Sequence, residues 1–158
     1  MTRQHVEHSI VIDAPIEFCW EVLSDPQVYV EAIDWVYEAR VEGGDELGPG
    51  TAYVERAKPG PKTGTYRWDI TAWDPPHRQV HSHSGGELEG DLELRFEALD
   101  GTTTRYTQHM AFRAMPKFRP LGFIVERLVM KPSMEKDFRQ MILPNYKRIV
   151  EERYAAGS

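Results

Sequence analysis

The sequence predicts an α+β fold: a curved antiparallel sheet of about seven strands, two short helices, and a long C-terminal helix. Three observations carry this. From residue 35 to residue 113, apolar and polar side chains alternate in short runs broken by glycine and proline. Helical spacing of three and four is confined to a short stretch after Pro15 and a long one after Pro120. The alternating runs are apolar on one face only, and the last stretch is the only element long enough to cover such a sheet.

Residues 8–12 (HSIVI) read as the first strand, ended by Asp13-Ala14-Pro15. Pro15 suits a helix start, and Ile16, Cys19, Trp20 and Leu23 form the stripe of a helix stopped by Ser24-Asp25-Pro26. A second short helix over 27–32 completes the pair. Strands follow over 35–42, 51–57, 65–73 and 79–84, separated by Gly43-Gly44-Asp45, Pro59-Gly60-Pro61 and Asp74-Pro75-Pro76. In the first of these, Trp35, Tyr37, Ala39 and Val41 share a face. The clearest alternation sets Leu88, Leu92, Leu94 and Phe96 against Glu87, Glu89, Asp91, Glu93, Arg95 and Glu97. Asp100-Gly101 turns that strand into 103–113, where Tyr106, Gln108, Met110 and Phe112 lie together.

The stretch 120–154 places Leu121, Ile124, Val125, Leu128, Phe138, Met141, Ile142 and Ile149 at helical spacing, which predicts one buried face along its length. A straight rod of about 35 residues would be roughly 50 Å long and would overhang a domain of radius of gyration ~15 Å. Pro132 and Pro144 therefore predict either two bends or a break at Pro132, with Ser133 as a new N-cap.

At 158 residues the chain forms one domain, with 41% hydrophobic and 28% charged residues. No apolar run approaches the ~20 residues of a membrane span, and the start does not read as a signal peptide. The single cysteine, Cys19, sits on the buried stripe of the first helix; it fits a small core residue and a reducing, cytoplasmic setting. A net charge of −6 without a basic cluster disfavours nucleic acid and anionic membranes as partners.

Few polar residues stand where chemistry is expected. Glu55 and Arg56 are adjacent in mid-strand, so one of them faces inward: Arg56 would bind a carboxylate or enolate, Glu55 would act as a base. His81 and His83 share a face; with His77 and Glu87 they allow a zinc site, a general acid/base, or a solvated edge strand. Gln108 lies on an apolar face and needs a partner there, whereas His109 faces out. The basic stretch 113–119 precedes the long helix as a gate or a plain connector. No phosphate loop, nucleophile elbow or cysteine pair is present, so no cofactor or metal is expected.

The stretches Ile10-Val-Ile-Asp-Ala-Pro15, Phe18-Cys-Trp-Glu-Val-Leu-Ser-Asp-Pro26, Gly48-Pro-Gly-Thr51, Thr71-Ala-Trp-Asp-Pro-Pro76 and Gly101-Thr-Thr-Thr-Arg-Tyr106, with the closing helix, are scaffold motifs. In them the chain resembles the START-like helix-grip (SRPBCC) superfamily, most closely its polyketide cyclase/dehydrase-type branch, over about residues 5–153. The resemblance implies a central cavity between sheet and helix that holds lipids, polyketides or other apolar molecules. Tyr37, Trp68, Tyr106, Met110, Phe112, Phe123, Met130 and Met134, with Arg56 and Gln108, are the candidates to line it. Three functions follow as expectations. The first is binding or transport of a hydrophobic small molecule. The second is a cyclase, aromatase or dehydratase using Glu55, His81 or Gln108. The third is an interaction module. A monomer and a homodimer are both compatible with the sequence.

Overall fold

Period-two patterning turns into strands wherever one face can be buried, and here every such run joins one sheet. A computed structural model describes residues 3–85, 88–114 and 120–157. β1 (Gln4–Ile12) leads into α1 (Ile16–Leu23) and α2 (Pro26–Ala32). Six strands follow: β2 (Val36–Glu42), β3 (Ala52–Ala57), β4 (Gly64–Asp74), β5 (Arg78–Gly85), β6 (Leu88–Asp100) and β7 (Thr103–Ala114). All pairs are antiparallel, and the order is β1-β7-β6-β5-β4-β3-β2. The sheet is thus a meander from β2 to β7, with β1 returning beside β7. The helix pair spans from one sheet edge to the other. Its start is set locally: the Asp25 side chain accepts from the Gln27 amide at 2.9 Å, and Pro26 occupies the first turn of α2.

The two sheet faces differ as the alternation requires. Outside, Arg3, Glu89 and Asp91, then Glu7, Arg95, Glu93 and Arg78, form cross-strand ion pairs. Such exposed pairs contribute ~0–1 kcal/mol each and chiefly keep that face wet. Inside, Leu94, Phe96, Tyr106, Met110 and Phe112 are buried, and Trp20 of α1 meets Trp73 and Phe96 edge-on at 4.9 and 5.2 Å. Gly90 is there for space: a β-carbon would stand 2.5 Å from Met110 Cε and 2.8 Å from the Ala111 carbonyl oxygen.

The final helix does not break. It runs through α3 (Leu121–Val125), a π turn (Glu126–Met130), α4 (Lys131–Asp137), a second π turn (Phe138–Ile142) and α5 (Leu143–Gly157), with right-handed helical torsions at every junction. Of the two alternatives, the break with Ser133 as a new N-cap is therefore the one not taken. Each wide turn sits directly ahead of a proline. Lys131 and Leu143 donate five residues back, to Glu126 and Phe138. The wider turns hold Leu128 and Gln140, whose carbonyls the rings of Pro132 and Pro144 would otherwise crowd. The prolines are absorbed by widening.

Only part of this rod lies on the sheet. Phe138, Ile142, Leu143, Tyr146, Ile149 and Val150 are buried. Asn145 donates to the Ala32 carbonyl at 2.7 Å, Lys147 to that of Val11 at 2.8 Å, and Glu151 accepts from the Asp13 amide at 2.7 Å. The first turns differ. Gly122 and Glu126 face the protein, with Glu126 accepting from the Ala114 amide at 2.6 Å. Leu121, Ile124 and Leu128 are 53%, 49% and 71% exposed. The expectation of one buried stripe along the whole segment thus fails in its first half, where Gly122 and Glu126 take the inner side and the apolar residues turn outward.

Candidate functional site

Glu55 and Arg56 illustrate how strand period decides chemistry. β3 pairs with β2 and β4 on its two sides, and its odd residues Tyr53, Glu55 and Ala57 face the helix. Glu55 is 7% exposed, while Arg56 points outward to Glu38 at 3.4 Å and lies over the Tyr37 ring at 5.4 Å. Burial pushes the Glu55 carboxyl up to about 7, against the opposing pull of the Trp68 indole, which donates to it at 3.0 Å. Tyr53, Tyr29 and Tyr146 lie within electrostatic range of this carboxyl. All three phenols are held above their ordinary value, chiefly by burial.

His81, fully buried on β5, belongs to a chain of hydrogen bonds. The Gln79 amide donates to Ser24 Oγ at 3.0 Å, which leaves the Gln79 oxygen to accept from His81 Nε2–H at 2.7 Å. His81 Nδ1 then accepts from the Tyr53 hydroxyl at 2.9 Å. Both ring nitrogens are engaged and burial pulls the imidazole down to about 3, so it stays neutral. Its geometry is that of a positioning residue for Tyr53. His83 is also buried and bonds the Arg67 carbonyl through Nδ1 at 2.8 Å. His77 is exposed at the β4–β5 turn, and His109 faces out, stacked on His5. Among the described residues no three His, Cys, Asp or Glu side chains converge for a metal; Glu87 and residues 115–119 lie outside the described residues.

Gln108 is 3% exposed and accepts from the Tyr106 hydroxyl at 2.6 Å. Tyr106 in turn meets the Tyr146 ring edge-on at 6.0 Å. Among the described residues, the second Glu55 oxygen, the Gln108 amide nitrogen and the Tyr146 hydroxyl hydrogen-bond no protein group. Three polar ends from β3, β7 and α5 thus remain uncommitted in an aromatic interior.

Other candidates divide by position. Trp68, Tyr106, Met110 and Phe112 are buried on the inner face, and Met130 and Met134 pack partly against the core. Tyr37 leaves the face expected for it: a bulge between Val36 and Glu38 turns it outward, 42% exposed. Phe123, 37% exposed, sits on the first turns of the long helix, and Arg56 lies outside as described. Cys19 is buried, as its stripe predicts, with its thiol raised by desolvation. The alternation reading passed over Tyr53, which lies two residues before Glu55 on the same face. Tyr29 and Tyr146, on separate helices, carry no local signal. Two grooves, of about 500 and 370 Å³, open on the outside near Arg95 and Arg105 and along Lys147 and Glu151, away from Glu55.

A family model described as polyketide cyclase / dehydrase and lipid transport matches residues 3–151. The chain belongs to the polyketide cyclase/dehydrase and lipid-transport family. Several solved structures share its fold at low identity. The Zhui aromatase/cyclase from Streptomyces sp. R1128 is 20% identical with a TM-score of 0.73, covering 98% of both chains. TTHA0849 from Thermus thermophilus is 18% identical at 0.76, covering 98% of this chain and 100% of the other. Norcoclaurine synthase from Thalictrum flavum, in complex with a transition-state analogue, is 15% identical at 0.67 over 96% of both. No curated protein matches. For this polyketide cyclase/dehydrase-family chain the likeness establishes the helix-grip fold.

Proposed function

We propose that this chain binds a hydrophobic, ring-containing small molecule between the sheet and the long helix, with its polar end at Glu55. The observation that carries the reading is the buried Glu55 carboxyl, with one oxygen on Trp68 and the other uncommitted, facing the tyrosine cluster. Aromatic walls supply non-directional affinity and a few polar ends set orientation, the usual division in small-molecule sites. Near neutrality the carboxyl is part protonated, so it both donates and accepts, which suits a phenol, an enol or a carbonyl. Tyr146 and Gln108 would contact further polar atoms on the guest.

The same observation favours a second reading, in which the guest is transformed. A carboxyl poised at about 7 is matched to proton transfer at neutral pH, and a held chain would then cyclise or dehydrate. The aromatase/cyclase among similar folds supports this reading. His81 has no spare nitrogen for such a step.

The test is a thermal-shift screen of polycyclic phenols and ketones against the chain and Glu55→Gln. Binding predicts stabilisation that grows with ligand concentration and weakens in the variant. Product formation that vanishes in Glu55→Gln would select the second reading. No stabilisation by any ring compound would refute both.

A further inference from the structure

We propose that the outer face of the first turns of the long helix docks onto an anionic lipid surface. The apolar residues Leu121, Ile124, Leu128 and Val129 are 53%, 49%, 71% and 62% exposed, with Phe123 beside them. Most of the large exposed hydrophobic residues of the described chain fall in these nine positions. Scattered exposed leucines need no explanation, but a continuous run on one helix does. The run keeps helical spacing, yet the inner side of these turns is Gly122 and Glu126. The sequence has thus built an apolar face that the fold leaves uncovered. The second half of the rod buries its apolar side chains; these turns are held to β7 through Glu126 and leave theirs outside.

Charge identifies the occupant. The whole chain is −6, but residues 120–139 contain four Lys and Arg against three Asp and Glu, one of which, Glu126, is buried. Arg127 and Lys131 flank the apolar run, and the buried Glu126 contributes nothing to the outer face. A second copy would bring the same positive charge against itself. The apolar run also exposes only on the order of 500 Å², below the roughly 800 Å² per partner of a standard interface. An amphipathic helix with apolar residues on one side and basic residues at its border is the form that lies in a lipid headgroup layer. The overall charge that argues against anionic membranes averages over this local reversal. Docking here is independent of any guest at Glu55, which lies on β3 away from these turns.

Vesicle flotation of the full chain tests the inference, using phosphatidylcholine vesicles with and without phosphatidylglycerol. Binding should be at least about tenfold stronger with phosphatidylglycerol and should weaken at high salt. The double variant Leu128→Gln/Val129→Gln should lose about tenfold of it, with an unchanged melting temperature because both side chains are exposed. Arg127→Gln/Lys131→Gln should weaken binding to anionic vesicles alone. Absence of binding to either vesicle, or binding unchanged in the Leu128/Val129 variant, would overturn the inference. So would sedimentation showing a dimer that this variant converts to monomer.

Discussion

Replacing Glu55 by glutamine should make the protein more stable at alkaline pH and leave it nearly unchanged in acid. The carboxyl titrates near 4.5 when exposed and at about 7 in the fold. Between those values the folded chain holds a proton that the unfolded chain has released, so stability falls as pH rises through that window. Below the lower value both states are protonated and the carboxyl has no effect; above the upper one the full difference applies. At 1.36 kcal/mol per unit, the buried charge costs about 3 kcal/mol at pH 8, an order-of-magnitude figure. Glutamine keeps an acceptor for the Trp68 indole and carries no charge, so it removes most of that cost. Urea unfolding of both proteins across the pH range measures it, and groups common to both cancel in the difference. The gap should open between about pH 4.5 and 7 and then level off. Parallel profiles would show that the carboxyl is hydrated, and the reasoning about the interior would fail.

His81 predicts the opposite trend. Its folded value near 3 against an ordinary 6.5 means that stability falls as pH drops through that window. His81→Phe strands the Tyr53 hydroxyl and the Gln79 oxygen and should cost roughly 2–4 kcal/mol at pH 8. Because the variant lacks the acid-sensitive group, the gap to the parent protein should narrow by pH 5, again by urea unfolding. Gly90→Ala should destabilise by about 1–3 kcal/mol, since the Ala111 carbonyl cannot yield as Met110 can; a melting temperature equal to the parent's would contradict the packing.

Much of this architecture is legible in sequence because one-sided strands write their orientation in every second residue. Leu92, Leu94 and Phe96 against Glu93, Arg95 and Glu97 leave a single register that buries the apolar set. The same rule placed Gln108 inside and His109 outside. It failed at Tyr37, where one bulged residue exchanges the faces and nothing local announces the bulge. Between Glu55 and Arg56 it left two registers open, and only the pairing with β2 and β4 decides. The final helix shows a different limit: periodicity reveals that a face is apolar but not whether anything lies against it. Leu128 and Ile142 look alike in sequence; one is solvated and the other buried. The π turns before Pro132 and Pro144 were equally hidden, since bending, breaking and widening all accommodate a proline. The convergence of Tyr29, Tyr53 and Tyr146 on Glu55 joins residues far apart in the chain, so no local pattern marks it.

The most direct measurement is a crystal structure of the protein with the best-stabilising ring compound from the screen. The account predicts the guest between β3 and α5, with a polar atom within hydrogen-bond distance of Glu55 and its rings against Trp68 and Tyr146. A guest seated instead in the outer groove near Arg95 and Arg105, with Glu55 untouched, would contradict it.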